Sequence, residues 1–396
     1  MVSRRRFISG TAGLAFASLL SGCSGASEET LKVSILQDSV PSEVLQNFRG
    51  QLESPVDFQL VSQIRTLFQQ LQQWQKAPES SGFSLDALLP WVNAEDAQRP
   101  DNLVSLGDYW LESAIAQDLI SPLTLPTQTL DKLPQSWQQF VTRSSNGQIA
   151  DTSASSATSS APFWAAPYKV QTLVIVYRQS AYPDASRDNS PFTSWQDLLQ
   201  PNLREQVALP EHPRLVLGLI QKLRSDSFNL PVESADNIRE LARQLTEPFT
   251  ELNAQVKTYD STNSLKSLIN KDVQVAVAWS GEVSSALRRY QDLRVAVPQE
   301  GSLLSADLWV QPKGVKITDA AIQWIDFCWQ RNPATQISVS GRGISPVFLT
   351  ADAELPSALS ETIVPLSTAQ VSEPLLPIPA DQQAAYFELW QQLRSS

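Results

Sequence analysis

Ala166-Pro167-Tyr168, Gln171-Thr172 and then Leu173-Val174-Ile175-Val176-Tyr177 form the stretch on which the fold turns. The last five residues are apolar and mostly β-branched or aromatic, the composition of a strand covered on both faces. Working outward, similar short apolar or alternating runs recur at 31–36, 56–60, 102–106, 207–209, 273–279, 293–297 and 307–310. Helical periods lie between them, at 62–75, 214–223, 234–245, 281–290 and 320–329. Strands alternating with helices predict an α/β fold with mixed, mostly parallel sheets flanked by helices. A chain of 396 residues exceeds what one hydrophobic core usually supports, so two lobes are expected. Two stretches interrupt the pattern. Residues 144–162 are Ser/Ala/Thr-rich, too poor in apolar surface to order themselves, and are expected to be a flexible insertion; 78–100 reads as a second one, with a short helix around 85–91.

The first 22 residues are unlike the rest. Arg4-Arg5-Arg6 precedes an apolar run over 7–20, which is shorter than the roughly 20 residues a membrane span needs. Ser3-Arg4-Arg5-Arg6-Phe7-Ile8 resembles the twin-arginine export signal, and Leu20-Ser21-Gly22-Cys23 resembles a lipobox, whose Cys is acylated after cleavage. The expectation is an exported, periplasmic protein anchored to the membrane by lipidated Cys23, with 23–30 as its tether.

Composition removes several classes of chemistry. The net charge is −11, and −14 once residues 1–22 are taken away, so nucleic acid is not an expected partner. A single His and two Cys leave no set of the kind a zinc site requires, and Gly341-Arg342-Gly343 is no phosphate-cradling loop. No metal or cofactor is expected. With Cys23 spent on lipid, Cys328 has no disulfide partner; it shares a helical face with Ala321, Trp324 and Ile325 and reads as a buried, inert thiol.

From Trp164 onward the order of segments is similar to that of the type 2 periplasmic solute-binding proteins of ABC transporters. The matching segments are Ala166-Pro167-Tyr168, Gln171-Thr172 with its strand, Thr193-Ser194-Trp195-Gln196-Asp197-Leu198-Leu199, Val207-Ala208-Leu209, Pro213-Arg214, Val275 to Gly281, Pro298-Gln299-Glu300-Gly301 and Asp307-Leu308-Trp309-Val310. The spermidine/putrescine-binding subfamily is the nearest pattern. The resemblance implies two α/β lobes closing on a ligand: residues 31–164 with 306–350 as the first, and 165–305 with 351–396 as the second. The chain would cross between lobes near Trp164 and return near Ser305, and a last helix over 381–393 would pack on the second lobe.

The resemblance also implies a site. Ammonium groups on an apolar stem need carboxylates for their charge and aromatic faces for their methylenes, each ring adding on the order of 0.5–2 kcal/mol. The amine-pairing acid falls on Asp307, a cleft aromatic on Trp279, and a cleft tyrosine on Tyr109 with Asp108 beside it. Asp38 and Glu211 are further candidates for an acidic cleft, and Tyr168 is a hinge-side candidate. The pattern is incomplete: Leu36-Gln37-Asp38-Ser39-Val40-Pro41 lacks two expected rings, Ser305 replaces an aromatic, and Glu211-His212 and Leu215 stand where acids would.

The expected function is therefore capture of a small cationic solute, a polyamine foremost, for delivery to an ABC permease in the inner membrane. Iron, a thiamine-like cation, a sugar or an opine are alternative ligands, and the same fold binding a protein partner is another. An enzyme would need a carboxylate pair such as Asp38 and Asp307 as acid and base, and no catalytic motif accompanies it.

Overall fold

The computed structural model describes residues 30–76, 100–149, 161–185, 189–230, 235–260, 264–340, 343–349, 356, 359, 372–376 and 383–395. Cys23 and the export signal, most of the 78–100 stretch, and 150–160 of the Ser-rich stretch lie outside these residues. The described edge of the latter is a turn, in which Ser144 N–H donates to Gln148 O at 2.9 Å and Gly147 takes φ 87°.

The strands are β1 (Leu31–Leu36), β2 (Val56–Val61), β3 (Leu103–Gly107), β4 (Ile120–Ser121), β5 (Ala166–Arg178), β6 (Val207–Leu209), β7 (Val256–Tyr259), β8 (Val275–Trp279), β9 (Leu293–Ala296), β10 (Leu303–Pro312) and β11 (Glu373–Pro374). Their order is β2-β1-β3-β10-β5-β8-β6-β7, with β4 and β11 on β10 and β9 on β5. β1 pairs parallel with β2 and β3, and β6 pairs parallel with β7 and β8, whereas β5 and β10 pair antiparallel with each other.

β5 is longer than the strand expected at 173–177, running for 13 residues. Pro167 and Lys169 break the apolar run that the eye follows, but the first half of the strand is held by β10. The second half passes to β8 and β9. β10 likewise runs beyond 307–310, for 10 residues. The helix Ala235–Asn253 continues past its expected end because Phe249 and Leu252, on its far side of Pro248, are buried in the core.

The apolar clusters show where one lobe gives way to the other. One contains β1, β3, Tyr168 and Val170, the β10 residues Leu304 to Val310, and the helix Asp319–Cys328 with Cys328 fully buried. The second lobe has two clusters on opposite faces of one sheet. Leu173, Ile175 and Tyr177 join one, and Val174 and Val176 the other, as the period of two requires. The clusters divide between Val170 and Leu173 on β5 and between Leu303 and Leu304 on β10. Leu359 packs in the first cluster, and the helix Gln383–Ser395 places Tyr386, Leu389, Trp390 and Leu393 in the second.

The Ser194-Trp195-Gln196-Asp197 segment has a structural job. Ser194 accepts from Gln196 N–H, Asp197 returns a bond to Ser194 N–H, and Glu300 Oε1 takes both Ser194 Oγ and Trp195 N–H, at 2.8 and 2.6 Å. Trp195 is thereby held in the second core, its Nε1–H donating to Gly301 O.

Candidate ligand cleft

The strand register builds the site from β3, β5 and β10. Asp307 lies between Gly107 of β3 and Lys169 of β5, its partners on either side. A register shift follows directly, between Asp307 and Leu308, and such irregularities re-aim side chains. Asp108, the first residue after β3, is thus brought beside Asp307.

These acids face different surroundings. Lys169 Nζ sits 2.6 Å from Asp307 Oδ2, with side chains 4% and 7% exposed. The contact lacks the angle of a hydrogen bond, so it is an ion pair held by charge. Gly343 makes room for it: a Cβ there would come within 2.6 Å of Lys169 Cγ and 2.8 Å of Val170 O. Asp108 has no ion pair among the described residues; Arg143 is near enough to feel its charge but donates to Phe140 O and Gly147 O. Asp108 Oδ1 accepts from Ser305 Oγ at 3.1 Å, and the backbone of Ala306 and Tyr109 adds hydrogen bonds. Burial nonetheless pushes its carboxyl up to about 7, and the nearby Asp307 charge adds to the rise.

Both acids line a cleft of about 730 Å³ between the lobes. Ser305, Tyr109 and Trp110 belong to its first-lobe wall; His212, Arg214, Trp279 and Tyr386 belong to its second-lobe wall. Tyr109 and His212 meet across it, with ring centroids 6.1 Å apart at 84°. His212 caps the helix Pro213–Arg224, its Nδ1 accepting from Leu215 N–H at 3.2 Å. That bond needs an unprotonated Nδ1, and the imidazole is held below its usual range by desolvation and by the Arg214 charge.

Of the residues singled out by sequence, the fold brings Asp307, Asp108, Tyr109 and Trp279 together in this cleft. Asp38, Glu211 and Tyr168 are not among its lining residues. Asp38 is an exposed turn residue after β1 with φ 61°. Glu211 is exposed just before the cap of its helix. Tyr168 points to the first core because it stacks on Trp309 at 4.1 Å, with its hydroxyl bonded to Ser105 Oγ at 2.7 Å and Ser39 Oγ at 2.9 Å.

Lys169, Arg214 and Tyr386 were missed as site residues. A lysine two residues after a proline, next to an apolar run, is a signal, since a charge in a buried strand needs a partner. An Arg in the first turn of a helix is another, because it opposes the helix dipole. Tyr386 gave no signal; a helix at the far end of the chain carries it in. Among the described residues, no three His, Cys, Asp or Glu side chains gather as a metal site, and no helix is long and apolar enough to cross a membrane.

Comparison with known proteins agrees with this architecture. The sequence profile of the family described as bacterial extracellular solute-binding protein matches residues 98–365. The putrescine-binding periplasmic protein PotF of Escherichia coli (strain K12) is 24% identical over 238 residues, 57% of this chain and 60% of that protein. Spermidine/putrescine-binding periplasmic protein 1 of Haemophilus influenzae is 26% identical over 172 residues, 43% of this chain and 45% of that protein. The matches thus span less than two thirds of these relatives' own length. Among solved structures, the spermidine/putrescine ABC transporter substrate-binding protein PotD of Streptococcus pneumoniae superposes with a TM-score of 0.70 at 20% identity, covering 93% of this chain and 99% of that one. The TpPotD lipoprotein of Treponema pallidum gives 0.63 at 14% identity, covering 93% and 100%. The fold is the two-lobed one of periplasmic binding proteins.

Proposed function

We propose, from the premise that this chain belongs to the bacterial extracellular solute-binding proteins, that it captures a small amine-bearing solute and hands it to an ABC permease. One observation carries the amine: Asp108 is a buried carboxyl in the wall of the inter-lobe cleft, hydrogen-bonded but, among the described residues, without an ion pair. An ammonium placed there would compensate the charge that burial disfavours. Trp279, Tyr109 and Tyr386 supply aromatic surface for the carbon chain. The curated relatives named for putrescine and spermidine support an aliphatic amine over a metal or a sugar. Capture rather than catalysis is the role that the family supports. The Arg4-Arg5-Arg6 segment and Cys23 extend the reading to export and to a lipid tether that keeps the lobes beside the permease.

Thermal unfolding of the purified chain tests this. Putrescine, spermidine and ω-amino carboxylates, each at about 100 times the dissociation constant, stabilise a true binder by ~2.7 kcal/mol. Uncharged diols of equal length are expected to do nothing. If no amine of any class raises the midpoint, amine capture is wrong.

A further inference from the structure

Amine capture alone leaves Arg214 unexplained. It is the second residue of the helix Pro213–Arg224, lines the cleft, and is only 4% exposed. A cation in the first turn works against the helix dipole, and burying it costs solvation. Its hydrogen bonds go to neutral acceptors: Phe228 O at 3.2 Å, Asn229 Oδ1 at 3.0 Å and Leu376 O at 3.4 Å. Nε has no acceptor among the described residues. Among the described residues no carboxylate comes within ion-pair distance of it. Glu373 is nearby, but its oxygens accept from Ser227, Phe228 N–H and Asn229. Bracing Phe228 and Asn229 needs donors; it does not need a buried charge.

The charges around the cleft balance. Asp307 is neutralised by Lys169, while Arg65 and Glu282, both exposed, add one charge of each sign. That leaves Asp108 on the first lobe and Arg214 on the second. Such a cleft matches a solute with one charge of each sign and leaves the second ammonium of a diamine without a buried carboxylate, Glu282 being exposed. Resting on the amine reading above, we propose that the solute is an amino carboxylate, its ammonium at Asp108 and its carboxylate against Arg214 and the opening of the Pro213–Arg224 helix. The positive end of that helix, where His212 caps Leu215 N–H, favours an anion for the same reason that it disfavours Arg214.

The test is calorimetric titration of the purified chain with 4-aminobutanoate, 5-aminopentanoate and 6-aminohexanoate, beside putrescine, cadaverine and spermidine. At least one ω-amino carboxylate is expected to bind tenfold or more tighter than the diamine of matching length. Arg214→Gln is expected to erase or reverse that preference, and Arg214→Lys, which keeps the charge, to retain part of it. Circular dichroism checks that both variants fold; if Arg214→Gln does not, the wild-type ligand order decides by itself. Diamines binding tighter than every ω-amino carboxylate would overturn the proposal while leaving amine capture standing. Binding of no amine of either kind would overturn both.

Discussion

Lys169 and Asp307 are cross-strand partners on β5 and β10, the two strands that join the lobes, and their charges meet at 2.6 Å. The acid that the sequence marked for the ligand's amine therefore already holds a cation from its own chain. An ion pair at this point ties the two connecting strands together beside the cleft, and it leaves Asp108 as the buried cleft acid without an ion pair among the described residues.

Asp307→Asn is accordingly expected to cost stability. It strands a buried ammonium, and breaking one side of a buried pair typically costs about 3–5 kcal/mol. At a carboxylate that met only the ligand's amine, the change would instead lose affinity and leave the fold unharmed. Urea unfolding decides: a loss under about 1 kcal/mol would mean that the pair contributes little. The double variant Lys169→Met/Asp307→Leu should recover most of the loss.

Gly343→Ala is expected to destabilise by about 1–3 kcal/mol, as overpacking does. The new Cβ would lie 2.8 Å from the Val170 carbonyl, which is backbone and cannot step aside, and 2.6 Å from the Lys169 stem. A melting temperature equal to that of the wild type would show that the Lys169 stem has another path.

Amine affinity is expected to depend on pH through Asp108. Its carboxyl, raised from 3.8 to about 7, must ionise to pair with an ammonium, so affinity should fall up to tenfold per unit as pH drops below about 7. Stability of the unliganded protein runs the other way: the contribution of the neutral carboxyl is fully present below 3.8 and is lost as pH rises toward 7. The groups around Asp108 are Ser305, Asp307 with its Lys169, and Arg143, whose own guanidinium burial lowers to about 10. Titration calorimetry between pH 5 and 8 checks the sign, and Asp108→Asn should flatten the profile. Affinity that rises as pH falls from 7 to 5 would rule out ionised Asp108 as the amine's partner.

Tyr168→Phe should lower stability by roughly 1–3 kcal/mol, since Ser39 and Ser105 each lose the buried hydroxyl they bond. Ligand affinity should stay within twofold, because the ring belongs to the first core. A tenfold loss of affinity in a folded Tyr168→Phe protein would return Tyr168 to the site.

Much of the fold was legible in the chain. The runs at 31–36 and 207–209 are strands with those bounds, and the helices fall within a few residues of their periods, except where Ala235–Asn253 runs on past Pro248. The alternation of Leu173, Ile175 and Tyr177 with Val174 and Val176 sorts these residues onto two faces by geometry alone. Asp108 and Tyr109 follow β3 and Trp279 ends β8, and strand ends are where this fold opens; Asp307 lies within β10 and reaches the cleft where that strand passes between the lobes.

The alternation of strands and helices, and the acid and rings at the ends of β3 and β8, can be read along the chain because hydrophobic period and turn chemistry act over a few neighbouring residues. Which of those charges are paired is set by contacts between segments far apart in the chain. Lys169 is 138 residues from Asp307, and Tyr386 comes to the cleft on the far helix. Charge pairing acts over a few ångströms of space whatever the separation along the chain, so neither the pairing of Asp307 with Lys169 nor the lack of a carboxylate on Arg214 among the described residues is visible in the sequence.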